Sequence, residues 1–198
     1  MTKVFSHLAG DSPLLISIPH DGRALMPGQE ERMTSAGTAL PDTDWHVQRL
    51  YRFATELGAS VVAANYSRYV VDLNRPADDS ALYSGQIATG LCPLRTFGGD
   101  DIYSFGESVS AEEQSSRVRD YWRPYHDTLQ QTISVIRARF GYALLWDAHS
   151  IATEVPLLFD GHLPDLNVGT NGGQTVAAEL EDAVMAAAHA SPYSSVLN

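Results

Sequence analysis

Two histidines in this 198-residue sequence stand where an imidazole can do chemistry. His20 closes the run LLISIPH and His149 closes YALLWDAH, so each follows an apolar stretch that reads as a buried strand. Neutral imidazole is a common zinc ligand, and a carboxylate nearby either joins it on the ion or orients the ring from behind. Asp147, two residues before His149, is such a carboxylate. A third stretch, VDLNRP at 71–76, sets the amide of Asn74 beside the guanidinium of Arg75. A planar fork of that kind suits a carboxylate.

The elements that must carry these groups alternate. Leu14–Ile18 is a short apolar run stopped by Pro19, Ser60–Asn65 and Tyr69–Leu73 are β-branched, and YALLWDA repeats the apolar pattern, so each predicts a strand. Asp42-Thr43-Asp44 offers caps for a helix with Val47, Leu50, Tyr51, Ala54 and Leu57 at helical spacing and Gly58 as its stop. Ser110 and Glu113 form a capping box. Val118, Tyr121, Trp122, Tyr125, Leu129, Ile133 and Ile136 continue from it as the buried stripe of a long helix, which Pro124 should kink. A last helix is expected over about 174–189. Between them, about 75–109 is rich in Gly, Pro, Ser and Asp and reads as one long loop, a length usually kept for function. Strands alternating with helices imply an α/β fold with a largely parallel, covered sheet. Ligands bind such sheets beyond the carboxyl ends of the strands, which is where His20 and His149 fall.

Composition narrows the function classes. Hydrophobic residues at 44% and charged residues at 19% describe an ordinary globular protein, expected here as a single domain over 1–198. A net charge of −11 with no basic stripe argues against nucleic acid. No apolar run approaches the ~20 residues that span a bilayer, and the N-terminus lacks the apolar segment of a signal peptide, so a cytoplasmic protein without a membrane partner is expected. Cys92 is the only cysteine, which excludes an internal disulfide and a thiolate zinc cluster. A small anionic substrate is compatible with the acidic balance, because one or two local arginines suffice to hold it. The expected assembly is a monomer or small homo-oligomer.

PLLISIPHDG, PDTDWHVQRLY, VVDLNRPADD, GLCPLRTFGG, YWRPYH, DAHSI and LPDLNVGTNGG occur in this order over nearly the whole chain. Together they resemble the N-formylglutamate amidohydrolase family, a relative of the zinc carboxypeptidases and aspartoacylase-like deacylases, whose DLNR and D-x-HS motifs are similar to 72–75 and 147–150 here. The resemblance implies a three-layer α/β fold with a mostly parallel mixed sheet covered by helices, of phosphorylase/hydrolase-like and carboxypeptidase-like type. It implies hydrolysis of N-formyl-L-glutamate to glutamate and formate, a step of histidine degradation, with another N-acyl amino acid or peptide as the alternative substrate. It further implies one zinc ion, or another divalent metal, held by His20, Asp44 and His149. The H-x-x-E of the carboxypeptidases is absent, since Asp21, Gly22 and Arg23 follow His20, so the middle ligand is taken from DTDWH with Asp42 and His46 as alternatives to Asp44. Arg75, with Asn74, would hold a substrate carboxylate at the reacting centre, and Arg68 or Arg95 would hold a second one.

One departure bears on catalysis. The family's late glutamate, which resembles the catalytic glutamate of carboxypeptidases, matches no residue before Asn198. The expectation is a domain lacking its C-terminal part, with Glu154 the nearest local carboxylate for a general base, or else a relative that binds metal or amino acid without turnover.

Overall fold

Four strands form the sheet on which everything else is hung: β1 (Phe5–Leu8), β2 (Leu14–Ile18), β3 (Ser60–Ala64) and β4 (Leu144–Asp147), in spatial order β1-β3-β2-β4. The computed structural model describes residues 2–80, 89–155 and 161–197. β2 pairs in parallel with β3 on one side and β4 on the other, while β1 runs antiparallel to β3. The sheet is therefore mixed and mostly parallel. β1 escapes sequence reading because three of its four residues are exposed and give no alternation.

The helices are α1 (Ser35–Thr38), α2 (Val47–Leu50), α3 (Ala111–Arg117), α4 (Arg123–Phe140) and α5 (Ala178–His189). Alternate residues of β2 face opposite layers. Leu15 joins Val62, Tyr125, Leu129 and Ile136 in a cluster beneath α4, while Ile16 and Ile18 pack with Val47, Ala54 and Ala148 on the side of α2. That arrangement makes three layers. Arg117 and the turn before Asp72 border a third cluster containing Met33, Tyr69 and Ile102.

Ser110 opens the long helix as expected, its Oγ accepting from the Glu113 N–H at 3.2 Å. The kink takes a specific form: Val118–Trp122 is a π-helical turn between α3 and α4, ending two residues before Pro124. Proline cannot donate to the preceding turn, and the wider π turn absorbs that break. Gly141, at φ 83°, ends α4 in the left-handed conformation and returns its N–H to Arg137.

Two expected elements are corrected. The helix after Asp44 is only the single turn α2 followed by a 3₁₀ turn at Arg52–Thr55, with Leu50 and Leu57 exposed. Neither Asp42 nor Asp44 caps it, because both side chains are committed elsewhere; Asp21 instead accepts the Gln48 N–H at 2.8 Å from a distant segment. Tyr69–Leu73 is not a strand but a buried run of turns. Its carbonyls are met by side chains rather than by a neighbouring strand: Tyr69 O accepts from Gln29 and Arg117, and Val70 O from Arg117. The β-branched composition there reflects burial, and the buried Arg117 replaces the sheet ladder.

By internal packing the chain divides into two compact units, Met1–Ile151 and Ala152–Asn198. The second contains β5 (Leu166–Val168), α5 and β6 (Ser195–Leu197), a parallel pair joined by a helical crossover. α5 begins at Ala178 rather than near 174, since Gly173 and Thr175 are held in a turn on Thr170. Within 75–109 the described residues form no helix or strand, as expected, and 81–88 lie outside the described residues. No helix among the described residues is long and apolar enough to cross a membrane.

Candidate metal centre and active site

Register brings the two histidines together. Ser17 of β2 pairs with Asp147 of β4, so His20 and His149 leave the carboxyl ends of adjacent parallel strands three and two residues further on. Their rings come within 4.9 Å of each other, centroid to centroid. Asp44 reaches the same point from the loop before α2: its N–H donates to the His20 carbonyl at 3.0 Å, and its Oδ2 accepts from the Ser150 N–H at 3.1 Å. One carboxylate thus ties both strand ends together. His20, Asp44 and His149 each offer an atom within 4.8 Å of the others.

The rings are oriented from behind. His20 Nε2 lies 2.8 Å from Asp72 Oδ1, which leaves Nδ1 turned toward Asp44 Oδ2 at 3.8 Å. His149 Nε2 lies 3.0 Å from Asp147 Oδ2, and its Nδ1 lies 2.8 Å from Asp44 Oδ2. Each imidazole therefore has one nitrogen on a rear carboxylate and the other on the shared centre. Burial, seconded by the Arg68 charge, pushes the His20 pKa down and keeps that ring neutral. Burial opposes protonation of His149 too, but the Asp147 and Asp44 carboxylates outweigh it and lift its pKa to about 9. At Asp72, burial alone would favour the neutral acid; His20 and Arg68 overcome it and hold the carboxyl well below the usual range.

The loop carrying Asn74 and Arg75 is gripped by the kinked helix. Trp122, at the end of the π turn, donates from Nε1 to the Arg75 carbonyl at 2.9 Å, and His126, stacked on Trp122, donates from Nε2 to the Leu73 carbonyl at 2.9 Å. Asp72 accepts the Asn74 N–H at 2.9 Å. Asn74 Nδ2 lies 2.8 Å from His149 Nε2, the nitrogen that also faces Asp147, so the amide sits beside that ring rather than between the three ligands. Arg75 Nε is buried without a hydrogen-bond partner among the described residues.

The other expected site residues are placed as follows. Arg68 is buried beside the centre with its guanidinium on carboxylates of the protein, 2.6 Å from Asp72 and 3.9 Å from Asp44. Arg95 is exposed and paired with Asp101 at 3.3 Å. Of the alternatives for the middle ligand, Asp42 accepts from the Tyr69 hydroxyl at 2.6 Å and the Phe97 N–H at 2.9 Å, while His46 is exposed in a left-handed conformation ahead of α2. Glu154 belongs to the second unit, exposed and 3.3 Å from His162. Sequence reasoning passed over Asp72, although a charge inside the apolar run VVDL was its signal. Trp122 and His126 were legible only as core and motif.

The donor set fits a divalent ion. His20 Nδ1 is a fully buried polar atom with no partner among the described residues, and it faces a carboxylate and a second imidazole. A buried orphan of that kind normally costs about 1–3 kcal/mol, which an ion in reach would offset. Two imidazoles and one carboxylate are the ligand types of open, catalytic zinc sites. His20 and Asp44 are buried and His149 is a third exposed, so the centre opens toward solvent on the His149 side.

Known proteins are similar to this chain over nearly its whole length. A family model described as N-formylglutamate amidohydrolase matches residues 12–198. The N-formylglutamate deformylase of Pseudomonas aeruginosa is 53% identical over 202 residues, covering 100% of this chain and 74% of that protein. The deformylase of the same name from Pseudomonas putida is 49% identical over 199 residues, with 100% and 74% covered. The crystal structure of N-formylglutamate amidohydrolase from Ralstonia eutropha JMP134 superposes with a TM-score of 0.81 at 22% identity, covering 98% of this chain and 76% of the other. A gene product of Agrobacterium tumefaciens superposes at 0.76 with 17% identity, covering 100% and 73%. At those identities the two structures speak for the fold.

Proposed function

The chain belongs to the N-formylglutamate amidohydrolase family, and from that premise we propose that it hydrolyses N-formyl-L-glutamate to L-glutamate and formate. The observation that carries the proposal is the orphaned His20 Nδ1 facing Asp44 and His149 at the strand ends. These three residues would hold one divalent ion, zinc by ligand type, and such an ion supplies Lewis-acid activation of water and of a carbonyl oxygen.

The protein's own groups do the rest. Asp72 and Asp147 fix the rings of His20 and His149, so the ligand atoms meet without reorganisation. Arg75, whose buried Nε has no partner among the described residues, and Asn74 at the rim hold a carboxylate of the substrate. Holding the substrate at both ends converts an encounter into an oriented, effectively intramolecular reaction. Glu154 is retained as a candidate for the proton transfer to the leaving amine, and Arg95 as a candidate for the second carboxylate.

The test is a hydrolysis assay on N-formylglutamate, N-formylglycine and N-acetylglutamate with metal content measured in parallel. The expected result is turnover of N-formylglutamate that is lost on chelation and restored by Zn²⁺, with stoichiometric metal lost in His20→Ala and His149→Ala. Arg75→Lys should weaken substrate binding at full metal content, because an ammonium cannot reproduce the bidentate fork. Equal turnover of N-formylglycine, or activity untouched by exhaustive chelation, overturns the assignment.

A further inference from the structure

Arg68 was expected to meet a substrate carboxylate, yet its surroundings describe a different task. Its side chain is 9% exposed and lies with its guanidinium carbon 4.7 Å from the centre of the Phe97 ring. Nη2 donates to Asp72 Oδ2 at 2.6 Å, and Nη1 stands 3.9 Å from Asp44 Oδ1. Those two carboxylates serve the same centre from opposite sides: Asp72 orients His20, and Asp44 lies between His20 and His149.

We infer that Arg68 is a positioning residue for the metal centre, one guanidinium bridging the ligand carboxylate of Asp44 to the carboxylate that orients His20. The inference rests on the reading of His20, Asp44 and His149 as metal ligands. Geometry supplies the first argument. Asp72 is fully buried and engaged at both oxygens, Oδ1 by His20 and the Asn74 N–H and Oδ2 by Arg68. Without Arg68 that carboxylate would be free to swing about its remaining bonds, and the His20 ring would swing with it.

Charge supplies the second argument. Asp44, Asp72 and Asp147 bring three negative charges to the two imidazoles, and Arg68 is the one arginine or lysine paired with any of them among the described residues. With Arg68 in place the cluster carries a net −2 when both histidines are neutral, which matches a divalent cation. The ring of Phe97 covers one face of the guanidinium, a place where a planar cation is favoured over a hydrated ammonium. Its remaining reach toward a substrate is thereby reduced.

Arg68→Met, Arg68→Lys and Phe97→Leu would be compared with the unsubstituted full chain by Zn²⁺ titration against a competing chelator and by the visible spectrum of the Co²⁺-loaded protein. Arg68→Met should weaken Zn²⁺ binding by about 10–100-fold, the usual effect of removing a group that orients metal ligands. Arg68→Lys should fall between, keeping the charge while losing the bridge, and Phe97→Leu should cost a few-fold with the fold intact. All three should alter the Co²⁺ bands, which report ligand geometry and which a merely structural role would leave unchanged in molecules that remain folded. Should Arg68→Met not fold, the Lys and Leu variants decide by the same readouts. Unchanged Zn²⁺ affinity and Co²⁺ bands in the folded variants, with a raised KM alone, would return Arg68 to substrate binding and overturn the inference. Failure of the unsubstituted chain to bind Zn²⁺ would instead overturn the metal-site reading, and the inference with it.

Discussion

Asp72→Asn isolates one charge at the base of the centre. The substitution keeps the shape and one acceptor oxygen for His20 and the Asn74 N–H, but turns an amide toward Arg68, whose Nη2 now faces an oxygen 2.6 Å away. At an effective dielectric of ~20, opposite charges at that separation attract by about 6 kcal/mol. Arg68 keeps Asp44 at 3.9 Å, so the loss moves toward the range measured when one partner of a buried pair is removed, about 3–5 kcal/mol. Against a total stability on the order of 5–15 kcal/mol, that is roughly a fifth or more. In urea, with a slope of ~2 kcal/mol/M, the midpoint of the chelated protein should fall by roughly 1.5–2.5 M at constant slope. Asp72 is fully buried, so the loss should be the same at low and high salt. The exposed Arg119–Asp120 pair is the control, and Asp120→Asn should cost under ~1 kcal/mol. A cost below ~1 kcal/mol for Asp72→Asn, or one that halves as salt is raised, would refute a buried, unscreened pair and with it the charge argument for Arg68.

Two further outcomes follow from the scaffold around the site. Burial would raise the Glu113 pKa, but its hydrogen bonds from Arg32 and Arg117 outweigh that and hold it below the ordinary value. A depressed carboxylate contributes stability above its unfolded pKa of ~4.3 and loses it as pH falls through the folded value. Glu113→Gln should therefore cost about 1–3 kcal/mol at pH 7, with the difference vanishing in strong acid; a penalty independent of pH in urea melts would contradict the ion pairing. Gly22 allows the chain beyond His20 to lie against the backbone of Asn65 and Tyr66, where an added Cβ would sit 2.6 Å from the Asn65 carbonyl carbon and 2.7 Å from the Tyr66 nitrogen. Gly22→Ala should cost about 1–3 kcal/mol by overpacking and, by displacing His20, should weaken Zn²⁺ binding; unchanged affinity and melting temperature would show that this loop gives way freely.

Much of the site was legible in one dimension because parallel strands deliver their ends to one edge. LLISI stopped by a proline and YALLWDA were readable as strands, and each observed strand carries its histidine two residues past its last residue, Ile18 or Asp147. Residue type then named the ligand chemistry, and family likeness selected Asp44. What the sequence could not determine was which of several equivalent groups goes where. Asp42 and Asp44 are two residues apart and chemically alike, yet one takes the Tyr69 hydroxyl and the other the two histidines, a choice made by long-range packing. Tyr69–Leu73 reads as a strand because its side chains are buried, and only the tertiary arrangement shows that Arg117 and Gln29 satisfy its carbonyls in place of a neighbouring strand. Arg68 likewise reads as a free cation until the fold sets it against Asp72 and Phe97. Local pattern determines which segments are buried and what chemistry they bring; the partner of a buried charge is determined by the folded surroundings, because desolvation makes every such group take whichever opposite charge the fold places in reach.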